Sequence, residues 1–421
     1  MEQLTTLKAE VKDVLQNNIL SFWLRHMIDY EHGGFYGQMR GDGSLVPQAN
    51  KGGILNGRIL WSFSAAYRVL GCSEYLEAAT RAKKYILNNF IDAQYGGTYW
   101  EVDYLGYPVN TKKQFYALGF MMYGLSEYAR ATGDQAAMDC AVSLFQTIEE
   151  QAWEPRYGGY IEAKKRDWQP IADMRLSEKD ANYPKSQNTH LHIIEPYTNL
   201  YRTLLERPSL QVDISVRMAL EKALRGLIDI FCSKILNPET HHLDLFFEND
   251  WTRGAGWLES YGHDIECSWL LHEAALVLGD CEVLSRVEPI VQLVAKASEK
   301  GLNSDGSMTH EANVDSGKVD TDRHWWVQAE AVVGFLNIYQ HFGDESALQK
   351  ALHCWQYIRE NLIDFEGGEW WWSRNAEGCV NREEDKAGFW KCPYHNSRMC
   401  LEIIERFRNL SVFLDNLEII S

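Results

Sequence analysis

Several stretches of this chain put ionisable and aromatic side chains at positions suited to chemistry rather than to core filling. His263 and Glu266 stand three residues apart in Tyr261-Gly262-His263-Asp264-Ile265-Glu266, a spacing that places both on one face of a helix. A carboxylate there can accept the imidazole N–H, fix its tautomer and raise its basicity. The same Glu266 also suits a first-turn acidic residue that complements the helix dipole. Gly388-Phe389-Trp390-Lys391-Cys392-Pro393-Tyr394-His395 sets a proline just ahead of a helix start, a histidine in the first turn and Trp390 nearby as a stacking surface. Arg58, Tyr116, Asn188 with His192, and Trp325-Trp326 with Glu330 complete the set. Three histidines that titrate near neutral pH are suited to moving protons.

Two other uses of these residues have to be weighed. His190, His192, His263 and Glu266 also have the donor types of a zinc or iron site. No H-E-x-x-H or cysteine-rich spacing supports that use, and His190 and His192, two apart on a helix, cannot both face inward. No metal is therefore expected. Glu266 and Glu330 would serve a glycoside hydrolase as opposed carboxylates, but the three histidines would then have no task. Pro196 stands four residues after His192 and cannot donate to its carbonyl, so either the helix bends there or His192 lies in the opening turn.

The elements that must position these residues follow from a repeat. Turn-like clusters rich in aromatics recur at His32-Gly33-Gly34-Phe35-Tyr36, Tyr95-Gly96-Gly97-Thr98-Tyr99, Tyr157-Gly158-Gly159-Tyr160, Asp305-Gly306-Ser307-Met308 and Glu366-Gly367-Gly368-Glu369-Trp370, with a weaker copy at His242–Phe247. Counted from Gly33, Gly96, Gly158, Leu243, Asp305 and Gly367, the steps are 63, 62, 85, 62 and 62 residues. Six copies of one unit result, with an insertion in the third interval. An apolar-periodic segment precedes each turn, as in Leu7, Val11, Leu15 and Ile19, and a second helical segment follows it near Ile54, Lys112, Asn188, Gly262, Trp325 and Tyr394. Breaks at Gly71, Gly133, Pro208, Gly279 and Gly343 then lead into the next copy.

Twelve helices in six pairs can form an open solenoid or close on themselves. The number of pairs, their length and their aromatic content predict closure into an all-α (α/α)6 barrel with short β-hairpin-like loops at one end. No Pro- or Ser-rich linker divides the chain, so residues 1–421 are expected to form a single catalytic domain. Each long, turn-containing connection enters an inner helix, and all six inner N-termini should face one end. Converging helix N-termini supply unpaired N–H groups and positive partial charge for a developing oxyanion.

Composition excludes several partners. The 41 Lys and Arg against 59 Asp and Glu give a net charge of −18, which repels nucleic acid and anionic membranes. No apolar run approaches the ~20 residues needed to span a bilayer, and the first residues do not read as a signal peptide, so a cytoplasmic location is expected. Nine cysteines, an odd count without a C-x-x-C pair, argue against a disulfide framework or zinc knuckle. No G-x-G-x-x-G or G-x-x-x-x-G-K-[ST] cradle for a nucleotide appears. Asn409-Leu410-Ser411 fits a glycosylation pattern by chance. Aromatic content is high, with 15 Trp and 21 Tyr, and flat rings suit sugars as well as cores.

Leu55-Asn56-Gly57-Arg58-Ile59-Leu60-Trp61, Asn188-Thr189-His190-Leu191-His192, Ser260-Tyr261-Gly262-His263-Asp264-Ile265-Glu266, Trp325-Trp326-Val327-Gln328-Ala329-Glu330 and Trp390-Lys391-Cys392-Pro393-Tyr394-His395-Asn396 resemble, in order and nearly end to end, the motifs of cellobiose 2-epimerases within the N-acylglucosamine 2-epimerase superfamily. Asn56-Gly57 and Pro196 depart from the pattern. The resemblance implies an (α/α)6 barrel that inverts C2 of the reducing-end sugar of a β-1,4-linked disaccharide without cofactor or metal. It assigns an acid/base pair to His263 and His395 and a supporting carboxylate to Glu266. Arg58, Tyr116, Asn188, His192, a Trp of the 325/326 pair and Trp390 become contacts to substrate or enediolate, and Glu330 is placed with them. Within that chemistry Arg58 and the helix N-termini suit the enediolate oxygens, His192 suits ring opening or holding O1, and the tryptophans suit stacking on the pyranose rings. Loops such as the insertion between Lys164 and Ser186 would shape the distal sugar site. A monosaccharide or N-acylglucosamine 2-epimerase, an aldose–ketose isomerase and a non-catalytic sugar-binding protein are the alternatives. A monomer or weak homodimer is expected.

Overall fold

The computed structural model describes residues 2–408; Asn409-Leu410-Ser411 and the rest of the expected 1–421 domain beyond that point lie outside the described residues. Twelve α-helices follow in chain order: α1 (Glu2–Asp13), α2 (Gly53–Leu70), α3 (Ser73–Asn89), α4 (Phe115–Thr132), α5 (Gln135–Gln151), α6 (Gln187–Glu206), α7 (Ile214–Ile230), α8 (Tyr261–Leu278), α9 (Cys281–Ser298), α10 (Trp325–Phe342), α11 (Glu345–Asn361) and α12 (His395–Arg406). The even-numbered helices pack in succession, and α12 returns to α2, so the ring closes. Odd-numbered helices lie outside it. The expected starts fall close to these, the largest difference being Lys112, where α4 begins only at Phe115.

Burial separates the two rings. Helix α4 buries Phe115 through Ala129 without a gap, because it is surrounded by neighbours on every side. Helix α3 buries only Tyr75, Ala78, Ala79, Ala82, Tyr85 and Ile86, one stripe at three- and four-residue spacing. Inner helices α2, α4, α8 and α10 stop at glycines: Gly133 adopts φ 76° at the end of α4, a left-handed conformation that costs glycine little. Asp134 then caps α5, its side chain accepting from the Ala137 N–H. The strict four-residue spacing of Leu7, Val11, Leu15 and Ile19 has a structural consequence. Four residues at 3.6 per turn overrun a full turn by roughly 40°, yet all four side chains are buried. The helix accommodates them by widening to a π-helical segment over Val14–Leu20.

The site end carries short hairpin-like pairings, as expected, such as Glu101–Val102 with Pro108–Asn110, and further strand pairs join one repeat to the next. Lys51–Gly52 pairs with Glu101–Val102, Lys113–Gln114 with Ala163–Lys164, Lys185–Ser186 with Phe246–Phe247, Leu258–Ser260 with Glu311–Asn313 and Arg323–His324 with Ser373–Arg374, all antiparallel. The starts of α2, α4, α6, α8 and α10 are thereby tied to the loop of the next repeat. Buried lysines strengthen the ties: Lys51 Nζ donates to Asp29 (2.7 Å) and the Gly33 carbonyl (2.9 Å), and Lys113 Nζ to Asp92 (2.9 Å) and the Gly96 carbonyl (2.7 Å). Breaking one such pair would strand a buried charge, so these contacts fix the loops that roof the barrel. Among the described residues no helix is long and apolar enough to cross a membrane.

Candidate active site

A cavity of about 430 Å³ opens where the inner helices begin, within the size range of small-ligand sites. Arg58, Tyr116, Asn188, His192, His263, Glu266, Trp325, Trp326, Trp390 and His395 all line it. Six inner helices contribute, as the repeat requires. The insertion supplies Leu176 through Asp180 to the cavity lining.

Each histidine is held by Nδ1, which leaves Nε2 for the cavity. His395 Nδ1 lies 2.6 Å from Glu330 Oε1, and His192 Nδ1 lies 3.0 Å from Glu195 Oε2. A carboxylate only accepts, so both imidazoles carry their proton on Nδ1 and present a lone pair at Nε2. His263 differs: its Nδ1 lies 2.7 Å from Ser260 Oγ. A serine hydroxyl can donate, which lets His263 carry its proton on Nε2. Burial drives the pKa of all three below the ordinary imidazole value, reinforced at His263 by His310, His192 and His395, and at His395 by Arg58 and Arg398. They are therefore neutral at pH 7. The Trp326 ring contacts both members of the expected pair, its centroid 5.0 Å from His263 and 5.6 Å from His395.

Two expectations need correction. Glu266 does not hydrogen-bond to His263, because Ser260 already holds that ring and the Glu266 side chain reaches one turn deeper. There its Oε1 accepts from Arg398 Nη2 at 2.7 Å and lies 3.8 Å from His395 Nδ1. Glu330 does not line the cavity as a substrate contact. It is buried behind His395, with Oε1 taken by His395 and Arg398 (2.5 Å) and Oε2 by Trp269 Nε1 (2.9 Å). The two carboxylates consequently lie side by side, not opposed across a glycosidic bond.

One guanidinium organises this region. Arg398 is buried and donates to Glu195, Glu266 and Glu330, carried by α6, α8 and α10, while Glu195 also accepts from the Tyr394 hydroxyl. Three carboxylates around one cation leave excess negative charge in a dry site. Burial and the neighbouring Glu330 accordingly push the Glu266 pKa well above the usual carboxylate range, against the pull of Arg398. The oxygens of Glu266 and Glu330 and the His395 ring are spaced like metal ligands, but the Arg398 guanidinium bonds to both carboxylates and supplies the positive charge a metal would bring.

Arg58 is the opposite case. Its Nη2 donates to the Tyr116 hydroxyl (2.9 Å), its Nη1 meets Cys392 Sγ at 3.8 Å, and its plane stacks over Phe120 at 4.1 Å. Burial alone would lower its pKa, but Tyr116, Cys392 and Tyr394 raise it overall, so the cation persists. Among the described residues no carboxylate forms an ion pair with it. Arg58 Nε, Asn188 Oδ1 and Glu266 Oε2 have no partner although they are buried around one cavity, an arrangement that suits a ligand rich in hydroxyls.

The helix N-termini are less available than expected. The leading N–H of Gly53 donates to the Trp100 carbonyl (2.9 Å), of Phe115 to Glu162 (3.1 Å), of Gln187 to Leu245 (2.9 Å) and of Trp325 to Trp372 (3.0 Å). Arg58 is thus the principal cationic group facing the cavity. His190 faces away, its Nε2 accepting from the Tyr160 N–H at 2.9 Å and its Nδ1 bonded to the Ser186 carbonyl. Pro196 stands well inside α6, with no break in the helix, and His192 lies in the second turn. The carbonyl that Pro196 leaves free faces Gly119 of α4, where an added Cβ would come within 2.5 Å of it. Gly57, the other departure from the family pattern, similarly admits the Phe120 backbone, which a Cβ would meet at 2.8 Å.

Glu195, Arg398, Tyr394, Trp372 and His310 also belong to the site, without having been expected there. Glu195 follows His192 by three residues and Arg398 follows His395 by three, the same spacing that drew attention to Glu266. Trp372 and His310 follow repeat turns already identified, and both line the cavity.

Comparison with known proteins bears on this geometry. Residues 34–398 match the model of the N-acylglucosamine 2-epimerase (GlcNAc 2-epimerase) family. A cellobiose 2-epimerase of Bacteroides fragilis is 53% identical over 398 residues, covering 94% of this chain and 98% of that protein. One of Ruminococcus albus is 39% identical over 399 residues, covering 94% and 98%. The solved structure of cellobiose 2-epimerase from Bacillus thermoamylovorans B4167 superposes with a TM-score of 0.88 at 40% identity, covering 96% of this chain and 100% of that one.

Proposed function

The chain belongs to the N-acylglucosamine 2-epimerase family and is a carbohydrate epimerase, and from that premise we propose that it inverts C2 of the reducing-end sugar of a β-1,4-linked disaccharide. Cellobiose, giving 4-O-β-glucosyl-mannose, is the first substrate to test, with mannobiose and lactose beside it. The reading rests on one observation: His263 and His395 line one cavity from different inner helices, both in contact with the Trp326 ring, with opposite proton placement available at Nε2.

Epimerisation at C2 needs the open-chain aldose, in which the carbonyl acidifies the C2–H. His192, with its lone pair at Nε2 and Glu195 behind it, takes the O1 proton and delivers it to the ring oxygen O5 as the C1–O5 bond breaks, which opens the ring. His395 then removes the C2 proton, since Glu330 keeps its Nδ1 protonated and its Nε2 basic. Negative charge moves onto the enediolate oxygens, where the Arg58 cation and the Tyr116 hydroxyl stabilise it in a dry cavity. His263 gives its Nε2 proton to the other face of C2 while its Nδ1 takes the Ser260 hydroxyl proton, and the proton that His395 removed from C2 passes through solvent to restore the Ser260 hydroxyl, so both imidazoles end neutral. In the reverse direction the two imidazoles exchange tasks, which the mobile Ser260 hydroxyl permits. Trp390 and Trp326 hold the sugar rings by stacking. No cofactor enters these steps, and the expected setting is a cytoplasmic monomer or weak homodimer.

NMR of cellobiose, mannobiose, lactose and N-acetylglucosamine with the purified protein in D₂O tests the reading, because it reports product and C2 exchange together. A 2-epimer carrying deuterium at C2 is the expected result. Glucose released from cellobiose, or conversion of N-acetylglucosamine alone, would replace the reading with a hydrolase or an N-acylglucosamine epimerase.

A further inference from the structure

Beside the cavity, His310, Asp320 and His324 form a second cluster that the epimerisation steps do not use. His310 Nδ1 lies 3.2 Å and His324 Nε2 lies 3.0 Å from the same oxygen, Asp320 Oδ2. All three side chains are partly exposed, so an ion can reach them from solvent. The backbone holds them together: the Asp320 N–H donates to the Glu311 carbonyl (3.0 Å), Asp320 Oδ1 accepts from the Asp322 N–H (3.0 Å), and His324 is paired to Ser373 just before α10.

We propose that His310, Asp320 and His324 bind a transition-metal dication of the zinc class, and that its binding inhibits the enzyme. Two imidazoles and one carboxylate are borderline-soft donors that suit Zn²⁺, Co²⁺ or Ni²⁺ and not Mg²⁺ or Ca²⁺. Donor atoms bound to tetrahedral zinc at ~2.0–2.1 Å stand roughly 3.3 Å apart, and the two distances to Asp320 already approach that value. An ion replaces the protons that the imidazoles now share with the carboxylate, and the protein's net charge of −18 favours its approach. Three protein donors leave a position for water. Inhibition follows from location: the His310 ring lines the cavity, 5.3 Å from Trp326 and 6.4 Å from His263. An ion there fixes His310 and places positive charge beside an imidazole that must accept and release protons.

Titration of the full-length protein with Co²⁺ alone, followed by its d–d absorption and then by displacement with Zn²⁺, reads the site without reference to catalysis. One Co²⁺ per chain with a tetrahedral-type spectrum is expected, weakened at least about tenfold in both Asp320→Asn and His324→Asn, as loss of one of three ligands demands. Zn²⁺ should slow epimerisation over the same concentration range, EDTA should restore it, and each variant should resist Zn²⁺ relative to its own metal-free rate. Absence of stoichiometric Co²⁺ binding, or equal affinity in the wild type and both variants, overturns the site. Binding that leaves epimerisation untouched, or inhibition that persists in both variants, overturns the inhibitory role. Neither metal-binding result depends on which sugar the enzyme converts.

Discussion

Glu330 accepts from His395 Nδ1 at 2.6 Å on the side of the ring away from the cavity. The contact fixes the tautomer that leaves Nε2 as a base, and Arg398 and Trp269 hold the carboxylate in turn. Glu330→Gln keeps the shape but offers an amide N–H toward Nδ1, which favours the wrong tautomer. A loss in kcat on the order of 10²–10⁴ is expected, the scale seen when a carboxylate that orients a catalytic imidazole is neutralised. KM should stay within about threefold because the residue does not touch substrate. A large KM effect with unchanged kcat would return Glu330 to the cavity wall.

Glu266 should respond differently to the same change. Burial and Glu330 push its pKa well above the usual carboxylate range, so its negative charge is disfavoured and Glu266→Gln, of the same shape, removes little that the site relies on. Activity is expected to fall by less than about tenfold, a barrier change under ~1.4 kcal/mol. Glu266→Ala, which leaves Arg398 Nη2 short of a partner, should cost considerably more. Equal damage by Gln and Ala in a steady-state assay would show that Glu266 works as an anion.

The acid limb of the pH–rate profile has a sign fixed by burial. His192, His263 and His395 all have pKa values below the ordinary 6.5. Their neutral forms therefore survive to lower pH than a free imidazole, and protonation removes the base only below that value. Turnover of saturating substrate should be flat through pH 6.5 and decline at lower pH. A half-maximal point above 6.5 would mean that at least one imidazole is held charged, contrary to its surroundings.

The i, i+3 relationship shows what was legible in the chain and where reading stopped. Applied to His263 it pointed to Glu266, and the bond is absent because Ser260, one turn earlier, holds the ring. Applied to His192 it would have found Glu195, whose bond is present at 3.0 Å. Spacing places two side chains on one face, but tertiary neighbours decide which of them meet. The six-fold repeat was legible because each unit must bury the same helix face and make the same turn, which five of the six copies do at glycines. Arg398 was not, since its partners Glu195, Glu266 and Glu330 come from three other helices that only closure of the ring brings together. The widened turn of helix at Val14–Leu20 was signalled by the apolar period but reads as ordinary helix unless the drift of a four-residue repeat is followed.

Gly119→Ala should reach the active site from outside it. Pro196 deprives the His192 carbonyl of its helical donor, and α4 fills that place closely, so that a new Cβ at position 119 would stand 2.5 Å from the carbonyl oxygen. Backbone must move, and the carbonyl that moves belongs to a residue lining the cavity. Overpacking of this kind costs ~1–3 kcal/mol, and the displaced His192 should lower kcat with it. Gly226→Ala on α7 is the control: a Cβ there meets nothing within 4 Å, and the change should stabilise the helix by ~1 kcal/mol or less without affecting turnover. Differential scanning calorimetry and initial rates on the two variants separate the effects. A Gly119→Ala protein as stable and as active as its parent would mean that α4 and α6 are not in such close contact.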